Sequence, residues 1–105
     1  MPSTLKKWDE AEFNHFLSEK SSGVISFGAN WCSACKMIEP NISNLASKYE
    51  DLAFAKIDVA ECPGLASKMG VMSLPNILIF QKGKVIDQII GATNSRSLED
   101  KIKNL

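Results

Sequence analysis

The spacing of apolar residues divides the chain into short strands and amphipathic helices. The stretch Val24–Ala29 is nearly continuous in apolar residues, which is typical of a central strand buried on both faces of a sheet. From Ile38 to Tyr49, apolar residues follow one another at intervals of 4, 3 and 4 positions, which predicts a helix with one apolar face. Further strands are predicted over residues 53–59, 76–81 and 85–90.

Polar and small residues mark the ends of the predicted helices. Asp9 precedes an apolar stripe and is followed three positions later by Glu12, which is the spacing of a capping box. Pro63 suits the first turn of a short helix, and Gly70 suits its end. Ser95 is expected to cap the last helix. The chain therefore carries four predicted helices beside its four strands.

The order of these elements predicts the architecture. A helix that joins the first two strands requires a parallel pair with a right-handed crossover. Lys82-Gly83-Lys84 between the last two strands predicts an antiparallel hairpin. The expected fold class is therefore α/β, with a central mixed sheet and helices on both faces. A chain of 105 residues is long enough for one core, so we expect a single domain over residues 1–105.

Charge and composition narrow the classes of partner and location. Twelve basic residues balance twelve acidic ones, which argues against nucleic acid or an anionic membrane as the main partner. No apolar run approaches the roughly 20 residues of a membrane helix, and residues 1–8 lack the apolar segment of a signal peptide. The three cysteines do not form a disulfide framework. We therefore expect a reducing, cytoplasmic location. We also expect the protein to be a monomer.

The candidate chemistry lies in the run Trp31-Cys32-Ser33-Ala34-Cys35-Lys36, between the first strand and the second helix. Side chains three positions apart on a helix have Cβ atoms roughly 5–6 Å apart. A slightly tightened first turn reaches the spacing of about 3.5–4.5 Å that a disulfide needs. The free N–H groups of that turn, together with the cation of Lys36, favour a thiolate. The run therefore suits a reversible dithiol/disulfide couple.

A metal site is the alternative for the cysteine pair. Zinc usually takes four protein ligands in structural sites. Only His15 and Cys62 remain as further histidine or cysteine ligands, and His15 belongs to a different helix without ligand spacing. Redox chemistry is therefore preferred, and no metal or separate cofactor is expected.

The other sulfur-containing side chains are expected to have structural roles. Cys62 is interpreted first as a buried, inert thiol. The alternative is an exposed regulatory thiol, because Cys62 lies in a loop that enters a short helix. Met69 and Met72 are expected to pack in the interior.

Four segments together resemble the thioredoxin family. They are Trp31–Lys36, Phe54–Val59, Ser73–Asn76 and residues 82–92, which occur in the family's order and spacing over nearly the whole chain. The resemblance implies a thioredoxin fold and a protein-disulfide reductase that needs no cofactor beyond its redox-active disulfide. It also implies disulfide-containing protein substrates and a recycling reductase such as thioredoxin reductase.

The resemblance assigns roles to individual positions. Cys32 matches the attacking thiol and Cys35 the resolving thiol. Trp31 matches the aromatic side chain beside the attacking sulfur. Pro75 matches the cis-proline that faces the dithiol, and Leu74 the residue whose backbone pairs with substrate. The remaining matches are Gly91 in the substrate groove and Lys56 near the family's buried acid.

Three departures from the family pattern concern the same region. Ser33-Ala34, which with Lys36 completes the expected substrate-contact loop, replaces the family's Gly-Pro. Gly28 stands where many members carry Trp or Tyr. Ser26 stands where the family usually has a buried Asp that helps to deprotonate the resolving thiol. Since a hydroxyl is no useful base at neutral pH, we expect slower release of reduced substrate, and Lys56 loses its usual acidic neighbour.

The leading prediction is a general cytosolic electron donor that reduces disulfides in other proteins. Two alternatives remain open. One is a more oxidising thiol-disulfide oxidase or isomerase, because the dipeptide between the cysteines is altered. The other is a thioredoxin-fold binding module that serves as a subunit of a partner protein.

Overall fold

A computed structural model describes residues 5–105 and places all eight predicted helices and strands close to their expected bounds. The elements are helix α1 (Glu10–Ser18), strand β1 (Gly23–Gly28), helix α2 (Ser33–Lys48), strand β2 (Ala53–Asp58), helix α3 (Pro63–Lys68), strands β3 (Asn76–Gln81) and β4 (Lys84–Ile90), and helix α4 (Ser95–Ile102). In the part of the chain thus described, no helix is long and apolar enough to cross a bilayer.

The four named strands form one mixed sheet in the order β2-β1-β3-β4. β1 pairs in parallel with β2, whereas β1–β3 and β3–β4 are antiparallel pairs. The register between the two parallel strands sets Ser26 beside Lys56 and Gly28 beside Asp58. The predicted mixed α/β sheet of the thioredoxin fold is therefore confirmed.

Helices cover both faces of this sheet, and each face has its own apolar cluster. On one face, Phe13 and Phe16 of α1 and Leu65 of α3 pack against alternate strand residues such as Phe27 and Phe80. On the other face, α2 and α4 pack against the intervening positions. That second cluster includes Val24, Ile38, Ile42, Leu45, Ile77, Ile79, Leu98 and Ile102. Because strand side chains alternate, Ser26 and Gly28 share the α2 face with Val24.

One predicted helix cap is confirmed and one is wrong. The capping box of α1 is present: the Glu12 N–H donates to Asp9 Oδ1 at 2.8 Å, and the Asp9 N–H donates to Glu12 Oε1 at 3.0 Å. α4 is capped by Asn94 instead of Ser95, because Asn94 is extended and its Oδ1 accepts the Ser97 N–H at 2.8 Å. Ser95 is the first helical residue and has no capping bond of this kind.

The segment just before α1 extends the sheet beyond β2. The Trp8 N–H donates to the Lys56 carbonyl at 2.9 Å, and the Lys56 N–H donates to the Lys6 carbonyl at 2.8 Å. The sequence pattern did not indicate this pairing, because a bridge of this length has no apolar periodicity of its own. Residues 6–8 therefore cover the edge of β2, and Lys6 and Lys7 line the cavity beneath α2.

Candidate active site

The two cysteines lie where β1 gives way to α2, as the sequence predicted. Cys32 is the N-cap of α2 and is joined to Cys35 by a disulfide, with their Cα atoms 5.3 Å apart. The Cys35 N–H donates to Cys32 Sγ at 3.2 Å. Since the first turn of a helix offers N–H donors and positive potential, the same geometry stabilises negative charge on Cys32 when the disulfide is reduced. The first turn carries no acidic residue to oppose this effect.

The two cysteine residues border different spaces. Cys32 is itself only 9% exposed, but it lines an open groove of about 760 Å³. Cys35 is 3% exposed and lines a second cavity of about 660 Å³ on the α2 face of the sheet. A disulfide in another protein can therefore approach Cys32 through the groove, whereas Cys35 borders only the inner cavity. This asymmetry agrees with an attacking thiol at the first position and a resolving thiol at the second.

The groove beside Cys32 is lined by exposed apolar side chains. Trp31 is 75% exposed, so it is not a core residue. Met72 is among the most exposed side chains, which corrects the expectation that it packs in the interior, whereas Met69 packs against the apolar cluster that contains Phe13. Leu74 also lines the groove and is half-buried. The groove thus presents apolar surface at the point where a protein substrate would meet Cys32.

Pro75 and Gly91 are brought together at the end of the central strands. The Leu74–Pro75 peptide bond is cis, as the resemblance implied. The Gly91 N–H donates to the Pro75 carbonyl at 2.8 Å, which joins the residue after β4 to the residue before β3. Gly91 has a φ of 90°, a conformation that glycine adopts without a Cβ penalty. Their contact with substrate stays a prediction.

The residues between and just after the cysteines, in the first turn of α2, have mixed environments. Ser33 is exposed and begins α2, and Ala34 is half-buried against the disulfide. Lys36 is exposed and lines the cavity with Cys35, away from the groove with Cys32. The structure thus places Lys36 on the resolving side of the site.

Several charged residues line the cavity beside Cys35. Ser26 is buried there, and Lys56 beside it on β2 forms an ion pair with Glu39 at 3.0 Å. The sequence analysis missed this acidic partner of Lys56. A signal was available, because Glu39 is four residues after Cys35 and therefore lies on the same face of α2. Asp58, also missed, is buried at the end of β2 and lines the same cavity.

Cys62 is buried, which corrects the alternative of an exposed thiol. It is 8% exposed and belongs to the apolar cluster on the α1 face. Burial raises the pKa of the Cys62 thiol, and the carboxylates of Glu10 and Glu61 raise this pKa further. A raised thiol pKa leaves little thiolate at neutral pH, so Cys62 is poorly reactive. Within residues 5–105, no three His, Cys, Asp or Glu side chains are grouped to hold a metal ion.

Cys62 is therefore expected to react with iodoacetamide at least about tenfold more slowly than Cys32 in the reduced native protein at pH 7. Peptide mapping after timed labelling measures both rates. Unfolding in denaturant removes the burial and should bring the rate at Cys62 close to that of an ordinary thiol. Equal labelling of Cys62 and Cys32 in the native protein would contradict the assignment of Cys62 as a buried structural thiol.

Comparisons with known proteins identify the family. The thioredoxin family model matches residues 4–104. Thioredoxin H2 from Arabidopsis thaliana is 37% identical over 103 residues, which cover 98% of this chain and 76% of that protein. Mitochondrial thioredoxin-3 from Saccharomyces cerevisiae is also 37% identical over 103 residues, covering 98% and 80%. The crystal structure of thioredoxin NaTrxh from Nicotiana alata superposes with a TM-score of 0.88 at 36% identity, covering 99% and 94% of the two chains.

These similarities span the whole sheet and the cysteine pair that follows β1. The crystal structure of oxidized mitochondrial thioredoxin 3 from Saccharomyces cerevisiae agrees as well, with a TM-score of 0.85 at 36% identity and coverage of 96% and 95%. The Cys32–Cys35 disulfide occupies the position of the family's redox-active pair. The chain therefore belongs to the thioredoxin family of thiol-disulfide oxidoreductases.

Proposed function

We propose that this protein is a general electron donor of the cytoplasm that reduces disulfides in other proteins and acts as a monomer. The family acts by dithiol–disulfide exchange without a cofactor beyond the active-site disulfide. The observation that carries the proposal is the division of the two cysteines between an open groove and an inner cavity. This division suits a two-step exchange with a large substrate. Because the basic and acidic residues of the chain balance, varied protein partners are favoured over nucleic acid.

In the first step, the Cys32 thiolate attacks one sulfur of a substrate disulfide and forms a mixed disulfide. The Cys35 N–H, which donates to Cys32 Sγ in the oxidised protein, stabilises the charge on this sulfur before the attack. We assign Trp31, Leu74 and Pro75 to contact with the substrate chain, since they lie at or beside the groove.

In the second step, the Cys35 thiolate attacks Cys32 Sγ, the bond to the substrate sulfur breaks, and the substrate leaves with two reduced sulfurs. The protein is left with the Cys32–Cys35 disulfide. A further reductant must return two electrons before the next cycle. We assign this role to a thioredoxin reductase, which recycles members of this family.

Reduction of insulin disulfides in the presence of dithiothreitol tests the proposal. The wild-type protein is expected to accelerate insulin precipitation, and Cys32→Ser is expected to give only the rate of dithiothreitol alone. Cys62→Ser serves as the matched cysteine variant and should remain active. A wild-type rate equal to that of Cys32→Ser would contradict reductase function and would favour a binding module.

A further inference from the structure

We propose that Asp58 is the proton acceptor for Cys35 in the second step, acting through the cavity that Gly28 leaves open between them. This inference rests on the proposed reductase function. It assigns to a carboxylate on β2 the task that Ser26 on β1 cannot perform.

Fast release of the substrate near neutral pH requires such an acceptor. The nucleophile in thiol–disulfide exchange is a thiolate, and Cys35 is almost completely buried, where its charged form is disfavoured. The hydroxyl of Ser26 is not a base at neutral pH. The step is balanced if the Cys35 S–H proton passes to the Asp58 carboxylate through water as Cys35 Sγ bonds to Cys32 Sγ. The electron pair of the broken mixed disulfide leaves with the substrate thiolate.

Gly28 brings the two groups together. A Cβ atom at Gly28 would lie 3.0 Å from Cys35 Sγ, so the sulfur packs directly over this residue. Gly28 is paired in register with Asp58 on the neighbouring parallel strand. Paired residues of parallel strands point to the same face, so Asp58 lies on the face that Cys35 covers. Gly28 places no side chain between Cys35 and Asp58, and Cys35 and Asp58 line the same cavity.

The contacts of Asp58 leave one of its oxygens available. Asp58 is 7% exposed, and its Oδ1 accepts the Ala60 N–H at 2.8 Å. Its Oδ2 accepts no hydrogen bond from residues 5–105, and its carboxylate forms no ion pair with any of them. A buried carboxylate with an unused oxygen, beside a cavity large enough for water, can accept a proton.

Other charged groups also face this cavity. Lys56 of β2 is bound to Glu39 of α2 at 3.0 Å, and Lys7 of the N-terminal segment is bound to Glu61 at 3.0 Å. The remaining charged groups that line the cavity are Lys6 and Lys36. Glu39 is the rival acceptor, because it lies one turn beyond Cys35 on the same helix face. Glu39 Oε1 is held in an ion pair with the ammonium group of Lys56, whereas Asp58 forms no ion pair within residues 5–105, and this difference favours Asp58.

Stopped-flow measurement of the second step tests the inference. A mixed disulfide between Cys32 and a chromophoric thiol is formed, and release of that thiol is followed from pH 6 to pH 9. Asp58→Asn keeps an oxygen that can accept the Ala60 N–H but removes the base. We expect release to slow by about 100-fold at pH 7, the lower end of general-base effects. Below the Cys35 pKa, the rate in this variant should rise about tenfold per pH unit, because it then depends on direct ionisation of the thiol. The wild-type rate should change little near neutral pH.

Glu39→Gln is the matched control, since it also removes a carboxylate from the same cavity. It should change release by less than about threefold, well below the general-base range. If Glu39→Gln slows release and Asp58→Asn does not, the acceptor is Glu39 and the inference is wrong. If neither variant changes the rate or its pH profile, the inference is also wrong.

Two further measurements separate a proton-transfer role from other failures. Added acetate should restore part of the lost rate in Asp58→Asn. If the substitution only distorted the turn after β2, acetate would have no effect on the rate. Formation of the mixed disulfide at Cys32 is measured in the same experiment. If no mixed disulfide forms in the wild-type protein, the proposed function fails. If it forms normally and Asp58→Asn releases thiol at the wild-type rate, only the role of Asp58 fails.

Discussion

Replacement of Cys35 by serine is expected to stop catalytic turnover and to leave Cys32 covalently bound to substrate protein. Cys32 lines the open groove and keeps its position at the N-terminus of α2 in this variant, so the first attack continues. The serine hydroxyl at position 35 cannot displace the substrate sulfur at neutral pH. Steady-state insulin reduction should therefore fall by at least about 100-fold, while mixed disulfides accumulate.

Non-reducing electrophoresis of Cys35→Ser after exposure to oxidised insulin measures this trapping. A band at the summed mass should appear and should disappear on addition of excess dithiothreitol. Cys32→Ser is the matched variant and should give no such band, because its remaining active-site thiol is almost completely buried. Trapping by Cys32→Ser but not by Cys35→Ser would reverse the assigned roles.

Substitution of Ser26 by aspartate is expected to lower the free energy of unfolding by about 1–3 kcal/mol at pH 7. Ser26 is buried, and burial raises the pKa of a carboxyl group introduced there. The adjacent ammonium group of Lys56 does not offset this cost fully, because Glu39 already binds it. Ser26→Asn is the matched control, with similar size and no charge.

The loss of stability in Ser26→Asp should depend on pH in a defined direction. A carboxyl group whose pKa is higher in the folded state than in the unfolded state destabilises the fold only when it is ionised. The penalty should therefore be absent below the unfolded pKa of about 3.9, grow as the pH rises, and be complete above the folded pKa. Denaturant unfolding of both variants from pH 4 to pH 8 measures it. A constant difference between Ser26→Asp and Ser26→Asn over this range would contradict a buried carboxyl with a raised pKa.

Ser26→Asp also tests how the site moves protons. A carboxylate at position 26 lines the same cavity as Cys35, so it should restore part of the rate that Asp58→Asn loses. Restoration would indicate that a carboxylate on either parallel strand can accept the Cys35 proton. The double variant is measured by the same stopped-flow release of thiol.

The fold was largely predictable because its signals are local. The nearly continuous apolar run of β1, the spacing from Ile38 to Tyr49 and the turn at Lys82-Gly83 each specify one element. The turn needs two residues with positive φ, and Lys82 and Gly83 have values of 53° and 82°. The cap of α4 was predicted one residue too late, because Asn94 and Ser95 are both good capping residues and the sequence alone does not choose between them.

The two active-site cysteines were predictable for the same reason. Cys32 and Cys35 are close in sequence and stand at the boundary of a strand and a helix, so their proximity is a local property. Burial of Cys62 could not be predicted from its neighbours in sequence. It depends on packing against the apolar cluster that α1 and α3 form on one face of the sheet. The exposure of Met72 was equally undecided, since a methionine fits both a core and a groove.

The secondary structure, the mixed sheet and the redox pair could all be predicted from the sequence, because each depends on residues within a few positions of one another or on a resemblance carried by short segments. The groups that surround Cys35 could not be predicted in this way. Glu39, Lys56 and Asp58 come from two different elements, and their approach depends on the register of β1 with β2 and on the rotation of α2 above them. Register and helix rotation follow from the packing of the whole core, so no single segment of the chain encodes them.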